Sequence, residues 1–253
     1  MKKYALLVCY DGTNYGGWQI QKNAVTVQQK LNEAVEKALG VKVTVTASGR
    51  TDSGVHAAAQ VCHFLAETSV PPERLAAAIN FNLPDDISVL KSSEAPENFD
   101  ATANAKRKTY CYRIYISGRR NPLKDRYAEQ IKFSVDLHKL KQAARLFEGK
   151  HDFKAYCAAG SQVKTTVRRI YSIKVWTREY RGSTDVEIYI TGNGFLYNMV
   201  RTLAGTMIYF AADRLKKEDI IRSLEECDRN SVGKTMPAKG LTLEAVDYDF
   251  DLF

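Results

Sequence analysis

A polar run bounded by glycines, between two alternating segments, is the feature that most constrains this chain. The run reads SGRTDSGVHA at residues 48–57, and residues 42–47 and 61–66 flank it. Alternation of apolar and polar side chains is typical of β-strands with one buried face. Glycine permits backbone conformations and close approaches that other residues do not. The pattern therefore predicts two strands joined by a loop whose backbone lies close to another group.

One carboxylate, Asp52, lies in this loop two residues after Arg50. If the segment is extended, residues two apart share a face, and a neighbouring cation favours the ionised form of an aspartate. An ionised carboxylate at the end of a strand is suited to act as a nucleophile or general base. An Arg-x-Asp pair in a glycine-bounded turn is more often a structural ion pair. The loop alone therefore leaves both interpretations open.

The charge balance favours a polyanionic partner. Lysine and arginine number 37 against 29 aspartates and glutamates, which gives a formal charge of +8. Cations interleaved with tyrosines suit RNA phosphates and unstacked bases, although lysines and arginines also protect strand edges in proteins that bind no nucleic acid. The clusters lie almost entirely beyond residue 100, at residues 106–108, 119–120, 164–169 and 178–181.

Cysteine and histidine usage argues against disulfides and metal. The five cysteines are odd in number and scattered singly, and the four histidines show no ligand spacing. No apolar stretch is long enough to span a bilayer. We therefore expect a cytoplasmic protein with no membrane segment, no metal site and a reducing environment.

Strand and helix patterns alternate in both halves of the chain. Thr26 and Gln29 form a capping-box signature for a helix over residues 27–39, which Gly40 ends. A long apolar helix is predicted over residues 195–212. The fold class is α+β, with two similar subdomains of mostly antiparallel sheet flanked by helices and a cleft between them. The predicted division is residues 1–105, which contain the loop with Asp52, and residues 106–253, which contain the strand with Tyr110 and the long apolar helix.

Residues 10–19 form a second unusual loop, with the sequence YDGTNYGGWQ. Its glycines would let the backbone approach a ligand, and its aromatic rings would offer stacking faces. A tight turn covered by core aromatics explains the same composition, and for this loop alone that explanation is preferred.

Five motifs together identify a resemblance to the TruA-type tRNA pseudouridine synthases. The motif GRTDSGVHA at residues 49–57 is highly specific, and the loop at residues 10–19 precedes it in the family order. The later motifs are RKTYCY at residues 107–112, GFLYNMVR at 194–201 and PAKGL at 237–241. The resemblance spans nearly the whole chain.

The resemblance implies a cofactor-free, homodimeric enzyme that isomerises uridine to pseudouridine at positions 38, 39 and 40 of the tRNA anticodon arm. Two alternative functions stay open: an enzyme with the same chemistry on a different uridine or RNA, and a non-catalytic RNA-binding protein. A carboxylate can attack either C1′ of the ribose or C6 of the base, and the sequence does not choose between these routes.

The resemblance also implies roles for individual residues. Asp52 corresponds to the catalytic aspartate, Tyr110 to the tyrosine that stacks on the target base, and Arg201 to the cation that pairs with the carboxylate. Arg50 corresponds to the residue that helps to extrude the base. The substrate-binding set adds the loop neighbours and three apolar residues that either wall the site or belong to the ordinary core: Gly49, Thr51, Phe195, Leu196 and Met199.

Other positions in the motifs receive structural interpretations or depart from the family. We expect His56 to be a structural histidine and Tyr112 to pack in the core. Tyr197 and Asn198 stand where many relatives carry basic residues or histidine, a change expected to affect phosphate contacts or uridine preference and to leave the chemistry unaffected. Lys239 stands where histidine is common in the family.

Overall fold

The computed structural model describes residues 1–158, 160 and 163–253, which form two compact units. Unit 1 comprises Met1–Arg107 and Thr242–Phe253, and unit 2 comprises Lys108–Leu241. The elements in chain order are β1 (Lys2–Tyr10), α1 (Val27–Leu39), β2 (Thr46–Ala47), β3 (His56–Ala66), α2 (Leu75–Asn80), β4 (Ile87–Glu94), β5 (Arg107–Ile116), β6 (Glu129–Ile131), α3 (Leu137–Phe147), β7 (Gly149–Asp152), β8 (Val167–Tyr180), β9 (Ser183–Gly192), α4 (Met199–Ala211), α5 (Lys217–Glu225) and β10 (Leu241–Asp247).

The sheet of unit 1 has the strand order β4-β1-β3-β10, with β2 paired to β3. All of these pairings are antiparallel except that of β3 with β10, where His56 faces Thr242 and Ala57 faces Leu243. Helix α1 begins and ends as predicted, since the Thr26 hydroxyl accepts from the Gln29 amide and Gly40 adopts a φ of 71°. The α+β class with a mostly antiparallel sheet is confirmed.

The C-terminal segment belongs to unit 1, whereas the predicted division placed it with residues 106–253. Besides the pairing of β10 with β3, its apolar side chains pack on a buried cluster that contains Val61 and Phe99. The phenol of Tyr248 donates to the carbonyl of Ala101 at 2.7 Å. The chain end therefore closes one face of the unit 1 sheet. The residues that pack on the cluster are Leu7, Val246, Tyr248, Leu252 and Phe253.

The predicted strand over residues 42–47 is reduced to the two residues of β2. Side chains of α1 satisfy the backbone just before it, because Gln28 Nε2 donates to Val45 O at 2.9 Å and Val45 N donates to Asn32 Oδ1 at 2.9 Å. Helix side chains therefore replace the ladder bonds that a longer strand would need.

The sheet of unit 2 has the order β5-β9-β8-β7, with β6 paired to β5. The pairings of β5 with β9, β9 with β8 and β8 with β7 are antiparallel, and that of β5 with β6 is parallel. Helix α4 is buried along nearly its whole length. At Gly205 the backbone of residue 234 packs directly on this helix, because an added β-carbon would lie 1.8 Å from the Lys234 carbonyl oxygen.

Helix α4 begins four residues later than predicted. Asn198 precedes it with a φ of 62°, in the left-handed region, so residues 195–198 lie outside the helix and end in a turn at residues 197–198. None of the helices in the described residues is long and apolar enough to cross a membrane.

Candidate active site

The aspartate loop, residues 48–55, connects β2 to β3 in unit 1. Its start is tied to β3: Ser48 N donates to Val61 O at 2.8 Å, and Ser48 Oγ donates to Gln60 Oε1 at 2.7 Å. The amide of Gln60, which is fully buried, donates in turn to Gly49 O at 2.8 Å. Sequence reasoning missed Gln60. A buried glutamine in an otherwise apolar strand face is the signal that points to it, because such a group needs polar partners.

The loop at residues 10–19 lies against the aspartate loop. The hydroxyls of Tyr10 and Thr51 lie 2.8 Å apart, and Trp18 N donates to Thr51 O at 3.0 Å. Gly54, with a φ of 77°, donates its amide to Tyr15 O at 3.3 Å. The three aromatic rings are buried. The preferred interpretation therefore fits the structure, in which this loop supports the aspartate loop with core aromatics.

Asp52 is half-buried, and the backbone is held by hydrogen bonds both at the preceding residue and at the Asp52 carbonyl. Thr51 before it is buried and held at its backbone and hydroxyl, and Val55 N donates to Asp52 O at 3.1 Å, closing the turn. Arg50 is exposed, and its Nε donates to Gln19 Oε1 at 3.1 Å. The backbone that carries the carboxylate is thus fixed on both sides, which limits the rearrangement needed when that group reacts.

His56 begins β3 and is buried. Its Nδ1 lies 3.1 Å from the amide nitrogen of Gly12 and 3.1 Å from Asp11 Oδ1. The ring thereby fixes the start of the loop at residues 10–19. This geometry fits the structural interpretation of His56. Its partner Asp11 was missed, since 45 positions separate the two in the sequence.

The predicted tyrosine, Tyr110, lies on β5 in unit 2 and is largely buried. Its ring meets that of half-buried Phe195 in a T-shaped contact, with centroids 5.3 Å apart and planes at 87°. Aromatic pairs favour this edge-to-face geometry because a positive ring edge meets a negative face. Phe195, in the segment that precedes α4, therefore restricts the orientation of the Tyr110 ring.

The other apolar candidates are part of the interior of unit 2. Leu196 and Met199 are almost fully buried. Tyr112, on the same face of β5 as Tyr110, is fully buried and donates its hydroxyl to Pro237 O at 2.8 Å. Its predicted place in the core is confirmed.

Arg201 lies in the first turn of α4 and is half-buried. Its Nε donates to Met236 O at 2.6 Å, and its Nη1 donates to Asn198 Oδ1 at 2.6 Å. Two acceptors from different segments therefore restrain the guanidinium. Within unit 2 the structure brings Arg201 to Asn198 and Met236, and Tyr110 to Phe195.

Two lysines of the motifs have environments that the sequence did not reveal. Burial lowers the pKa of Lys108, two residues before Tyr110 on β5, to about 8. Lys239 is partly buried and binds Asp125 at 2.9 Å and Glu129 at 3.0 Å. Burial acts to lower the pKa of Lys239, but these hydrogen bonds outweigh it and the pKa is raised.

Cations and aromatic rings meet at the turn between β8 and β9. The guanidinium groups of Arg178 and Arg181 lie 5.3 and 5.2 Å from the centroid of the Tyr180 ring. Within the described ranges, the structure contains no group of three or more histidine, cysteine or acidic side chains that could hold a metal ion.

Comparison with known proteins gives matches over almost the whole chain. A family model described as tRNA pseudouridine synthase matches residues 6–102 and 143–249. The tRNA pseudouridine synthase A of Ruminiclostridium cellulolyticum is 44% identical over 248 residues, which cover 98% of this chain and 100% of the relative. That of Caldicellulosiruptor bescii is 42% identical with the same coverage. A solved Cbf5-Nop10-Gar1 complex gives a TM-score of 0.37 at 15% identity, covering 94% of this chain and 57% of that chain.

Proposed function

Since this chain belongs to the tRNA pseudouridine synthase family, we propose that Asp52 is the nucleophile of its reaction. The enzyme is an isomerase that converts uridine to pseudouridine in tRNA. The reaction breaks the N1–C1′ bond and forms a C5–C1′ bond, while C5 loses a proton and N1 gains one. Atoms and electrons balance within the nucleotide, so the chemistry requires no cofactor.

The observation that supports this role most directly is the fixed backbone around Asp52. Thr51 is held by Tyr10 and Trp18, and the turn closes through Val55. A carboxylate presented on such a backbone reaches the transition state with little loss of conformational freedom. Its attack at C1′ expels the uracil, and its attack at C6 gives a covalent adduct of the base; both routes use the same group.

The remaining site residues are assigned to the handling of the base. A uridine must leave its stack to react, at a cost of a few kcal/mol, and stacking on Tyr110 offsets this by roughly 1–3 kcal/mol. Arg50 helps to extrude the base, and Arg201 supplies positive charge that favours an ionised Asp52. Gly49, Thr51 and Phe195 complete the proposed substrate-binding set, and Leu196 and Met199, which are buried in the interior of unit 2, support it from behind.

The proposed substrate is the tRNA anticodon stem-loop, at positions 38, 39 and 40. A formal charge of +8 favours a polyanion. The exposed aromatic ring of Tyr180, with Arg178 and Arg181 beside it, suits contact with phosphates and bases.

We also propose that the enzyme is a cytoplasmic homodimer. The five cysteines are odd in number and scattered singly in the sequence, a pattern that favours a reducing compartment. Trp176 on β8 is 63% exposed. An exposed tryptophan is a common interface anchor, so this face is the proposed contact between subunits. Light scattering of the wild type and of Trp176→Glu tests it, because an interface there predicts a monomeric variant.

The reaction is tested by tritium release from tRNA transcripts labelled at C5 of uracil, with no cofactor added. The wild type should release tritium, and Asp52→Asn should lower the rate below detection while leaving tRNA affinity within about threefold. Asp85→Asn is the matched control, because Asp85 is an exposed aspartate of unit 1 and its loss should leave the rate unchanged.

Transcripts with cytidine at positions 38, 39 or 40 in turn locate the target. If tritium release persists when positions 38, 39 and 40 are all cytidine, the enzyme modifies a different uridine by the same chemistry. Tight binding with no release from any tRNA would support the RNA-binding alternative and reject the catalytic role of Asp52.

A further inference from the structure

Asn198 occupies an unusual position at the start of α4. It is the residue before the helix, and its carbonyl accepts the first helical hydrogen bond, from Thr202 N at 3.0 Å. Asparagine at this position normally caps the helix, because its side-chain oxygen accepts from an amide of the first turn. Here the side chain makes no capping bond. The carboxamide therefore serves a different partner.

That partner is the guanidinium of Arg201. Asn198 Oδ1 lies 2.6 Å from Arg201 Nη1. A guanidinium carries only donors, so the amide atom that faces it must be the oxygen. The second restraint is the Met236 carbonyl, which accepts from Nε at 2.6 Å. Two acceptors at different edges of a planar group fix its direction as well as its position.

The backbone conformation of Asn198 makes this contact possible. Its φ is 62° and its ψ is 2°, in the left-handed region. Among residues with a β-carbon, asparagine and aspartate adopt this region most readily. Asparagine thus combines a tolerated left-handed turn with a neutral acceptor three residues before the arginine, which few other side chains supply.

We propose that Asn198 is a positioning residue that orients Arg201 for uridine isomerisation. This inference rests on the proposed role of Arg201 in that reaction. It assigns a function to a position that was expected to influence phosphate contacts, since the carboxamide is directed to the arginine. The chain carries both parts of this device within one helical turn.

The test uses three substitutions and tritium release from C5-labelled tRNA. Asn198→Gly keeps the left-handed backbone and removes the acceptor, and it should lower kcat about tenfold or more with KM within about twofold. Asn198→Asp keeps an acceptor and should restore most of kcat. The matched control is Asp213→Gly, which changes another left-handed residue, at the opposite end of α4, with a φ of 58°. It should leave both constants unchanged.

A cycle with Arg201→Ala separates positioning from a general structural effect. If Asn198 acts through Arg201, Asn198→Gly should cause no further loss in the Arg201→Ala background under single-turnover conditions. Unchanged kcat in Asn198→Gly, or equal losses in both backgrounds, would overturn the inference. An active Asp52→Asn variant would instead reject the proposed function, so the two failures are distinguishable.

Discussion

The backbones of Gly17 and Thr51 are in direct contact in unit 1. A β-carbon at residue 17 would lie 2.5 Å from the Thr51 carbonyl oxygen and 3.0 Å from the Asp52 carbonyl carbon. Gly17 also has a φ of 95°, which residues with side chains rarely adopt. The position of the proposed nucleophile is therefore defined from outside its own loop, by a backbone approach that requires glycine.

Replacement of Gly17 by alanine should displace the aspartate loop. The added β-carbon cannot fit at 2.5 Å from a backbone oxygen, and the positive φ adds strain of about 1–2 kcal/mol. We expect kcat to fall by about 10²-fold or more, since small displacements of reacting groups have effects of this size. Tritium release and thermal unfolding measure the two consequences.

Gly40→Ala provides the matched control. Gly40 also has a positive φ, of 71°, but an added β-carbon there would meet nothing within 4 Å. This variant should lose about 1–2 kcal/mol of stability from the backbone strain and keep its rate. Equal kcat losses in the two variants would show that the close approach to Thr51 has no special importance.

Local signals in the sequence were sufficient for much of the fold. Helix α1 follows from Thr26 and Gly40 because a side-chain cap and a left-handed glycine act within a few residues. The reduction of β2 could not be predicted, since it depends on Gln28 and Asn32 binding the backbone of Val45. The assignment of residues 242–253 to unit 1 also depends on distant partners, on β3 and around Phe99.

The candidate site shows the same division between local and distant information. The loop that carries Asp52 was predicted from residue types, because glycines and a single carboxylate stand together in the sequence, whereas the role of Asp52 was proposed from the family resemblance. The residues that hold this loop in place were not predicted, because they are distant in the sequence. Tyr10 contacts Thr51 across 41 positions, and Gln60 binds Gly49 across 11 positions. The contact of Asn198 with Arg201 depends on the turn before α4, which could not be predicted because the mostly apolar pattern of residues 195–212 indicates one continuous helix.

We propose that the phenol of Tyr110, besides stacking on the base, helps to remove the proton from C5, and Tyr110→Phe should separate these two roles. The variant retains the ring, including its T-shaped contact with Phe195, so tRNA affinity should stay within about twofold. We expect the rate of C5 tritium release to fall by about 10²-fold, the usual contribution of a positioned proton acceptor. Tyr112→Phe removes a hydroxyl from the same strand face, where it bonds to Pro237 O, and should lower stability alone. A normal rate in Tyr110→Phe would limit Tyr110 to stacking.

Affinity for tRNA should fall steeply as salt rises, because each neutralised phosphate releases counterions. In a plot of log K against log salt, the variant Arg178→Ala with Arg181→Gly should reduce the slope by about one to two. Glycine suits residue 181, whose φ is 48°. Lys91→Ala removes a charge from the exposed side of β4 and should leave the slope unchanged. A double variant with the wild-type slope would exclude the β8–β9 turn from RNA contact.

Lys239 should stabilise unit 2 only over a defined pH range. Its hydrogen bond is the largest influence on Asp125, whose pKa it lowers below 3.8 despite the opposing effect of burial. A lowered aspartate pKa gives stability that is present above 3.8 and is lost as pH falls through the folded-state value. The raised pKa of Lys239 gives stability that is present below 10.5 and is lost as pH rises through its folded-state value.

Lys239→Met should therefore lower Tm at about pH 7 and have little effect at about pH 2. Lys22→Met, at an exposed lysine, should change Tm at neither pH. An equal loss at both pH values in Lys239→Met would assign Lys239 a packing role, with no contribution from its charge.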